Sequence, residues 1–534
     1  MKGKVYLVGG GPGDAGLLTI KGAECLRAAD CVVYDALVNP DLLAHTPAKA
    51  KRFYVGKRGA VHALEQEEIN SLLVRLGRRG GSVVRLKGGD PFIFGRGGEE
   101  ARELAACKIP FEVVPGVSSA VAAPAYAGIP VTDRAFAPMV TFVTGHMKTD
   151  KPMAVRSTIQ GCVQVPHKGY AHQAAGELNL PWASLASGGG TLVFLMGVSS
   201  LAVISSKLMA AGLSGATPAA IVSNGTTPRQ TSLSGRLSNI AELARKAGIK
   251  APAVTVVGGV AGLREKLAWF EKRPLFGKKI VVTRSREQAG ALARELSGLG
   301  AEVIIFPSIK TKPLRSFSAL DREIRGLGGY NWVIFTSSNG VEAFFARLRK
   351  LGLDARRFGS AKVVAIGPAT AEALRARGVE ADLVPEKYIS ESILKALGKV
   401  EGRKILLPRA AMARDMLNAG LKKAGALVTE IPTYNTLPDR GNLQELRRHL
   451  EEGTVSLITF TSSSTVAGFL ESFKGADKKL LKGVAMGSIG PITSGTMKAG
   501  GFKPDFEAKD YTIPGLVEAS LKYFRRRGRC FLTS

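Results

Sequence analysis

Short β-branched and apolar runs punctuate the first half of the chain at Val5–Val8, Cys31–Tyr34, Ser82–Leu86, Phe111–Val114, Val140–Thr144, Thr191–Met196, Ala219–Val222 and Val254–Val257. Between them the apolar positions fall mostly into helical spacing. That alternation predicts parallel sheets covered by helices, an α/β architecture. One stretch, Thr149–Gly190, is poorly patterned and dotted with glycine and proline, and reads as disorder or a surface excursion. A charged stretch with aromatic anchors, 263–278, reads as a linker, after which the pattern restarts at Lys279-Ile280-Val281-Val282-Thr283-Arg284.

The second half repeats itself. Val282-Thr283-Arg284 is echoed by Leu407-Pro408-Arg409, Gly300-Ala301 by Gly425-Ala426, Phe306-Pro307 by Ile431-Pro432, and Phe335-Thr336-Ser337-Ser338 by Phe460-Thr461-Ser462-Ser463, all at an offset of 125 residues. Ile366-Gly367-Pro368 recurs as Ile489-Gly490-Pro491 at an offset of 123. Two similar α/β units of this size are too long for a solenoid repeat and place a ligand in the cleft between them.

At 534 residues the chain exceeds a single core. No apolar run is long enough to span a bilayer, and Val5-Tyr6-Leu7-Val8 runs straight into glycines without a signal-peptide pattern, so a cytoplasmic protein with no membrane partner is expected. Five scattered cysteines and six histidines show neither a disulfide framework nor metal-ligand spacing, so no metal is expected. The formal net charge of +30 favours polyanionic partners. The basic residues are spread along the chain, only Arg525-Arg526-Arg527-Gly528-Arg529 clusters, and aromatics make up 7% without interleaving, so nucleic acid is not expected. A polycarboxylate substrate fits the charge, as does a generally basic proteome.

Candidate chemistry concentrates in two glycine-rich turns. Gly9-Gly10-Gly11-Pro12-Gly13-Asp14 lacks the spacing of a dinucleotide or phosphate loop. Pro12 removes an amide that a phosphate would use and Asp14 would repel one, so a ligand with a positive centre suits the turn better. Arg85-Leu86-Lys87-Gly88-Gly89-Asp90-Pro91-Phe92-Ile93-Phe94-Gly95-Arg96-Gly97-Gly98 lets the backbone approach a ligand, with Asp90 as an acceptor and Arg96 as a fork matching a carboxylate.

Together with Pro115-Gly116-Val117-Ser118-Ser119-Ala120, Gly128-Ile129-Pro130-Val131-Thr132, Thr144-Gly145-His146, Thr191–Gly197 and Asn224-Gly225-Thr226-Thr227-Pro228, in that order, these motifs make residues 1–262 resemble the uroporphyrinogen-III C-methyltransferases. The resemblance implies two α/β lobes (about 1–135 and 136–262) binding S-adenosylmethionine through Pro12, Gly88, Gly89, Asp90, Ile93, Ser118, Ser119, Met196 and Gly225, with Asp90 facing the sulfonium. It places an acid/base pair on Asp35 and Lys57, for which an N-cap and a solvated lysine are the plain alternatives. It also implies a homodimer through this half. Thr132-Asp133-Arg134 stands where the family often has Thr-His-Arg, so any role for that histidine is lost.

Residues 275–524 resemble uroporphyrinogen-III synthase on Val281–Arg284, Phe335–Ala343, Ile366-Gly367-Pro368, Leu407-Pro408-Arg409 and Tyr434. The family's two lobes would comprise 279–310 plus 437–530, and 311–436. Ser337, Ser338, Ser462 and Ser463 are candidates for binding carboxylates, with helix capping as the simpler reading. Tyr434 and Thr370, then Thr493, are candidates for assisting hydroxyl departure from hydroxymethylbilane, and Tyr434 reads nearly as well as a core residue. Under this resemblance the chain is a bifunctional enzyme of tetrapyrrole biosynthesis leading to precorrin-2, for sirohaem or cobalamin. The rival reading makes the second half a non-catalytic tetrapyrrole-binding domain.

Overall fold

The computed structural model describes residues 3–56, 64–145, 178, 180–386, 388, 390–411, 416–439, 441–473 and 475–530. The chain divides into two compact units, Met1–Gly277 and Lys278–Ser534.

The first unit holds two five-stranded sheets. Strands β1 (Lys4–Gly9), β2 (Cys31–Tyr34), β3 (Lys51–Tyr54), β4 (Ser82–Lys87) and β5 (Phe111–Val114) form an all-parallel sheet in the order β3-β2-β4-β1-β5. Alternate residues of these strands go to opposite cores. Val5, Leu7, Val33 and Val83 pack with Leu72, Leu73 and Leu104. Val8, Val32, Val84 and Leu86 pack with Leu26 and Leu42. Burial on both faces is why β1 and β2 read as largely apolar runs.

The second sheet comprises β6 (Val140–Thr144), β7 (Thr191–Leu195), β8 (Pro218–Ser223), β9 (Thr231–Arg236) and β10 (Ala253–Val257), in the order β6-β7-β10-β8-β9. Only β6 and β7 pair in parallel; β7 with β10, β10 with β8 and β8 with β9 are antiparallel. The expected parallel arrangement therefore holds in the first sheet and fails in the second. Two strands were not legible as apolar runs, β3 and β9. Both are sheet edges, and their sequences, Lys-Arg-Phe-Tyr and Thr-Ser-Leu-Ser-Gly-Arg, carry the polar residues an edge tolerates.

Two further expectations need correction. Of the stretch 149–190, residues 149–177 and 179 lie outside the described residues. Its end is ordered: Trp182–Ser187 is a helix, and Leu178, Leu180, Trp182 and Leu185 pack on the core around Phe194 and Ile204. The stretch 263–278 is no free linker. Arg264–Leu267 is helical, and Trp269, Phe270 and Phe276 form a ring cluster with Tyr126 inside the first unit. Cys107 is disulfide-bonded, which the scattered cysteine spacing did not suggest.

In the second unit, β11 (Lys279–Val282) and β12 (Glu302–Ile305) start one sheet. The chain then leaves to build a second from β13 (Ile309–Lys312), β14 (Trp332–Phe335), β15 (Lys362–Ala365), β16 (Lys404–Ala410) and β17 (Leu427–Pro438). It returns through β18 (Val455–Phe460), β19 (Ala485–Ser488) and β20 (Phe506–Glu507), giving the orders β12-β11-β18-β19-β20 and β13-β17-β16-β14-β15. The two crossings run together: Ile309 pairs antiparallel with Pro438, and the Asp439 amide donates to Ser308 O at 3.0 Å. All other strand pairs in the unit are parallel. Among the described residues no helix is long and apolar enough to cross a membrane.

Candidate active sites

In the first unit the turns leaving β1, β4 and β5 touch backbone to backbone. A Cβ on Gly9 would lie 2.5 Å from the Gly116 backbone, and one on Gly116 would lie 2.4 Å from Gly89 O. Gly11 and Gly89, at φ of 76° and 68°, exchange hydrogen bonds of 3.2 and 2.7 Å. Asp90 fastens the assembly. Its Oδ1 accepts the amides of Phe92 (2.8 Å) and Ile93 (3.1 Å), and its Oδ2 that of Gly116 (3.0 Å). Asp90 thus spends part of its acceptor capacity on three backbone amides, which fixes the direction in which its negative charge is presented. Above Gly89 the space is open, the nearest atom to a Cβ there being the Ser119 amide at 3.9 Å.

Loops of the second sheet close the other side. Gly145 and Gly197 meet at 2.5 Å from a notional Cβ, and Gly225 sits equally tightly against Ala123, at 2.4 Å. Asn39 Nδ2 donates to Gly13 O at 2.7 Å, the Asp14 amide donates to Thr226 Oγ1 at 3.0 Å, and the Tyr126 hydroxyl donates to Asp14 Oδ2 at 2.8 Å. Burial, then the Asp14 carboxylate, pushes the Tyr126 phenol well above its usual range, so it remains a donor. Pro12 therefore lies in a turn pinned from both lobes. Among the described residues, five of the six non-glycine residues with positive φ (Phe94, Arg96, Met196, Asn224 and Thr226) follow strand ends in these loops. Strain of this kind gathers where a fold serves a ligand. Met196 and Ile93 leave 49% and 38% of their surface exposed there. Ser118 caps the helix Ser119–Tyr126 by accepting the Ala120 amide (3.2 Å), and Ser119 opens that helix.

Asp35 sits at the end of β2, where Oδ1 accepts the Leu37 amide (3.1 Å) and Oδ2 pairs with Arg85 (3.2 Å). Lys57 lies outside the described residues. Behind Asp35 is a buried ion network that sequence reading missed. Arg85 (3.1 Å), Lys87 (2.8 Å) and Gln66 (3.3 Å) all donate to Glu100 Oε1, while Glu100 Oε2 has no hydrogen-bond partner. The signal was present: Arg85 and Lys87 alternate on a strand otherwise made of valine and leucine. Burial first, and the Arg85 charge next, pull the Lys87 amine below its usual range. Arg96 forks onto Glu99 (2.9 and 2.7 Å) and leaves about half of its side chain exposed.

In the second unit Ser337 caps Ser338–Lys350, its Oγ accepting the Gly340 amide (3.1 Å) and standing 3.4 Å from the Tyr434 hydroxyl. Ser462 caps Ser463–Ser472 in the same backbone conformation, φ −166° against −165°, and Ser463 Oγ donates to Ile492 O at 3.3 Å. Thr370 and Thr493 are buried in the first turns of Pro368–Arg375 and Pro491–Ala499. Tyr434 is buried, which pushes its hydroxyl pKa up against the pull of Ser337 and Asn339. Residues not selected from sequence complete this cluster. Asn339 Oδ1 accepts from Gln288, and Gln288 Oε1 accepts from Arg284 at 3.2 Å, linking the two lobes. Burial pulls the Arg284 guanidinium pKa down, the mark of a cation short of solvent. Tyr388 and Tyr511 pack on Gly367 and Gly490, a further repeated pair.

Residues 4–241 match the family Tetrapyrrole (Corrin/Porphyrin) Methylases, and residues 290–518 match Uroporphyrinogen-III synthase HemD. The Porphyrin biosynthesis protein HemD of Ruminiclostridium josui is 40% identical over 490 residues, covering 91% of this chain and 92% of that protein. The chain belongs to this two-part porphyrin biosynthesis family. The Uroporphyrinogen-III C-methyltransferase of Bacillus subtilis (strain 168) is 39% identical over 376 residues, covering 70% of this chain and 72% of that one. The Siroheme synthase of Pseudomonas paraeruginosa (strain DSM 24068 / PA7) is 49% identical over 269 residues, and the match spans about half of each chain (50% and 52%). The first unit is thus the methylase and the second the synthase.

The methylase geometry yields three predictions. Gly9→Ala drives a methyl into the Gly116 backbone and should lower the stability of that unit by about 1–3 kcal/mol, seen as a lower first transition in calorimetry. Glu100→Gln leaves the buried Lys87 without its carboxylate and Arg85 with Asp35 alone, and should cost about 3–5 kcal/mol in the same transition. The pH dependence has a definite sign. With its folded pKa below the unfolded 10.5, Lys87 binds fewer protons in the native state, so its effect is a stability that rises with pH up to 10.5. Lys87→Met should flatten that alkaline rise in calorimetric scans.

Proposed function

We propose that the synthase unit closes hydroxymethylbilane to uroporphyrinogen III and that the methylase unit methylates this product twice, giving precorrin-2. The observation that carries the reading is the pairing in one chain of a methylase cleft with a synthase whose product is the methylase's substrate, a pairing that extends across 92% of a relative.

The methylase cleft suits S-adenosylmethionine. The open space above Gly89, the strained Met196 and the apolar Ile93 offer backbone carbonyls and hydrophobic surface, and Pro12 withholds the amide a phosphate would need. Pro12, Gly88, Gly89, Asp90, Ile93, Ser118, Ser119, Met196 and Gly225 would hold it. When bound, it supplies an electrophilic methyl group. The protein's part is alignment, the larger share of catalysis in such a transfer. Asp35, oriented by Arg85 and the Leu37 amide, takes the proton lost from the methylated pyrrole carbon's neighbourhood, a factor of about 10²–10⁴. In the synthase unit the buried Tyr434 stays a neutral hydroxyl at physiological pH and donates to the departing hydroxyl group, while Arg284 receives a substrate carboxylate. Pairing through the methylase half, as the resemblance implies, belongs to the same proposal.

Purified protein given hydroxymethylbilane and methyl-labelled S-adenosylmethionine should yield a doubly labelled type III tetrapyrrole, identified by mass and isomer. Unmethylated type I product alone would sink the synthase assignment, and failure to label added uroporphyrinogen III would sink the methylase one. Tyr434→Phe should slow type III formation by about tenfold to a hundredfold, while labelling of added uroporphyrinogen III stays at the wild-type rate.

A further inference from the structure

The methylase family match ends at residue 241, yet residues 264–276 are wired into the turn that carries Pro12. Two routes converge on Asp14. On the first, Glu271 accepts from Arg264, from Gln230 Nε2 (2.9 Å) and from Ser232 Oγ (2.5 Å). Gln230 Oε1 in turn accepts the Thr226 amide at 2.9 Å, and Thr226, held at φ 67°, accepts the Asp14 amide through Oγ1 at 3.0 Å. On the second, Trp269 Nε1 donates to Ala125 O at 3.0 Å, and the Tyr126 ring lies 5.1 Å from Trp269 and 4.8 Å from the buried Phe270. The Tyr126 hydroxyl then reaches Asp14 Oδ2 at 2.8 Å. Arg273 covers both rings at 4.8 and 4.9 Å. Gly128 leaves room for the strap, since a Cβ there would meet Leu267 backbone at 2.4 Å.

We propose that the strap 264–276 is a positioning element of the methylase cleft, with Glu271 and Tyr126 setting the Gly9–Asp14 turn to receive the cofactor. The proposal rests on the reading that this cleft binds S-adenosylmethionine. Neither Glu271 nor the strap reaches the reacting atoms on this account; they act through Thr226 and Asp14. Because Gly277 leads directly into Lys278, the first residue of the synthase unit, the element that joins the two units is also the one that braces the cofactor turn.

The test uses the full chain with Glu271→Ala and, as a variant that removes one hydroxyl only, Tyr126→Phe. S-adenosylhomocysteine binding is measured by calorimetry, and hydrogen exchange across residues 9–17 is followed without ligand. Glu271→Ala should weaken binding about tenfold and Tyr126→Phe by a few-fold, with faster exchange at Asp14 in both. The KM for S-adenosylmethionine should rise while kcat at saturation stays within about twofold, a split that general destabilisation of the unit would not produce. The synthase rate on hydroxymethylbilane should be unchanged. Wild-type affinity together with wild-type exchange in both variants would overturn the proposal. If the unaltered protein binds no S-adenosylhomocysteine, the cofactor reading fails, and the exchange data alone decide whether the strap sets the turn.

Discussion

Three backbone amides from two loops converge on one buried carboxylate, that of Asp90, and the methylase cleft is built outward from that convergence. A carboxylate so enclosed holds its donors firmly because leaving any of them unpaired would forfeit a charge-assisted bond out of water. The amides can reach it only because Gly9, Gly89 and Gly116 let three strand-end turns meet with no side chain between them. With those turns locked, Pro12 and Gly88 share one wall, Ser118 starts the helix that carries Tyr126, and that helix packs its alanines against the second sheet. The lobes are therefore joined through the same few residues that close these glycine-rich turns.

The excess positive charge plays no single part. In the methylase, Arg85 and Lys87 lie inside the fold, where Glu100 and Asp35 balance them, and they do not act as surface attraction. The arrangement costs desolvation, which is why Lys87 titrates low, and it returns orientation: Asp35 can rotate only by giving up Arg85. In the synthase the comparable cation, Arg284, bonds a neutral glutamine, and among the described residues no carboxylate pairs with it. A polycarboxylate would find there what the methylase has already neutralised internally.

What was legible in the chain follows the physics of each element. Strands buried on both faces announce themselves as apolar runs, whereas β3 and β9 sit at edges and were hidden by their polar residues. Strand direction is invisible to such a pattern, and the second sheet turned out mostly antiparallel. The glycine turns could be found because only glycine tolerates those approaches. The partners of the charged residues could not, since Glu100 and Glu271 meet Gln66, Gln230 and Ser232 only through the tertiary fold, 34 to 41 residues away. Charge near an aromatic cluster looked like a connector at 263–278, because a strap that packs by a few rings and one carboxylate has no periodicity to betray it.

The duplication in the synthase extends to backbone detail, with one exception. Ser337 and Ser462 cap their helices in the same conformation, Gly367 and Gly490 pack under Tyr388 and Tyr511, and Asp382 and Asp505 each accept a strand amide, of Val363 and Met486. Both copies also keep an arginine at the end of their first repeated strand, Arg284 and Arg409. Tyr434 breaks the pattern: the offset of 125 residues places Ile309 opposite it. That isoleucine pairs with Pro438 in the ladder joining the lobes. On the proposed function, the features retained twice would hold a ligand of near-repeating pyrroles, and the lone phenol would act at the one end of that ligand that reacts. A symmetric scaffold holding one asymmetric donor supports assigning Tyr434 to the chemical step and the repeated serines to binding.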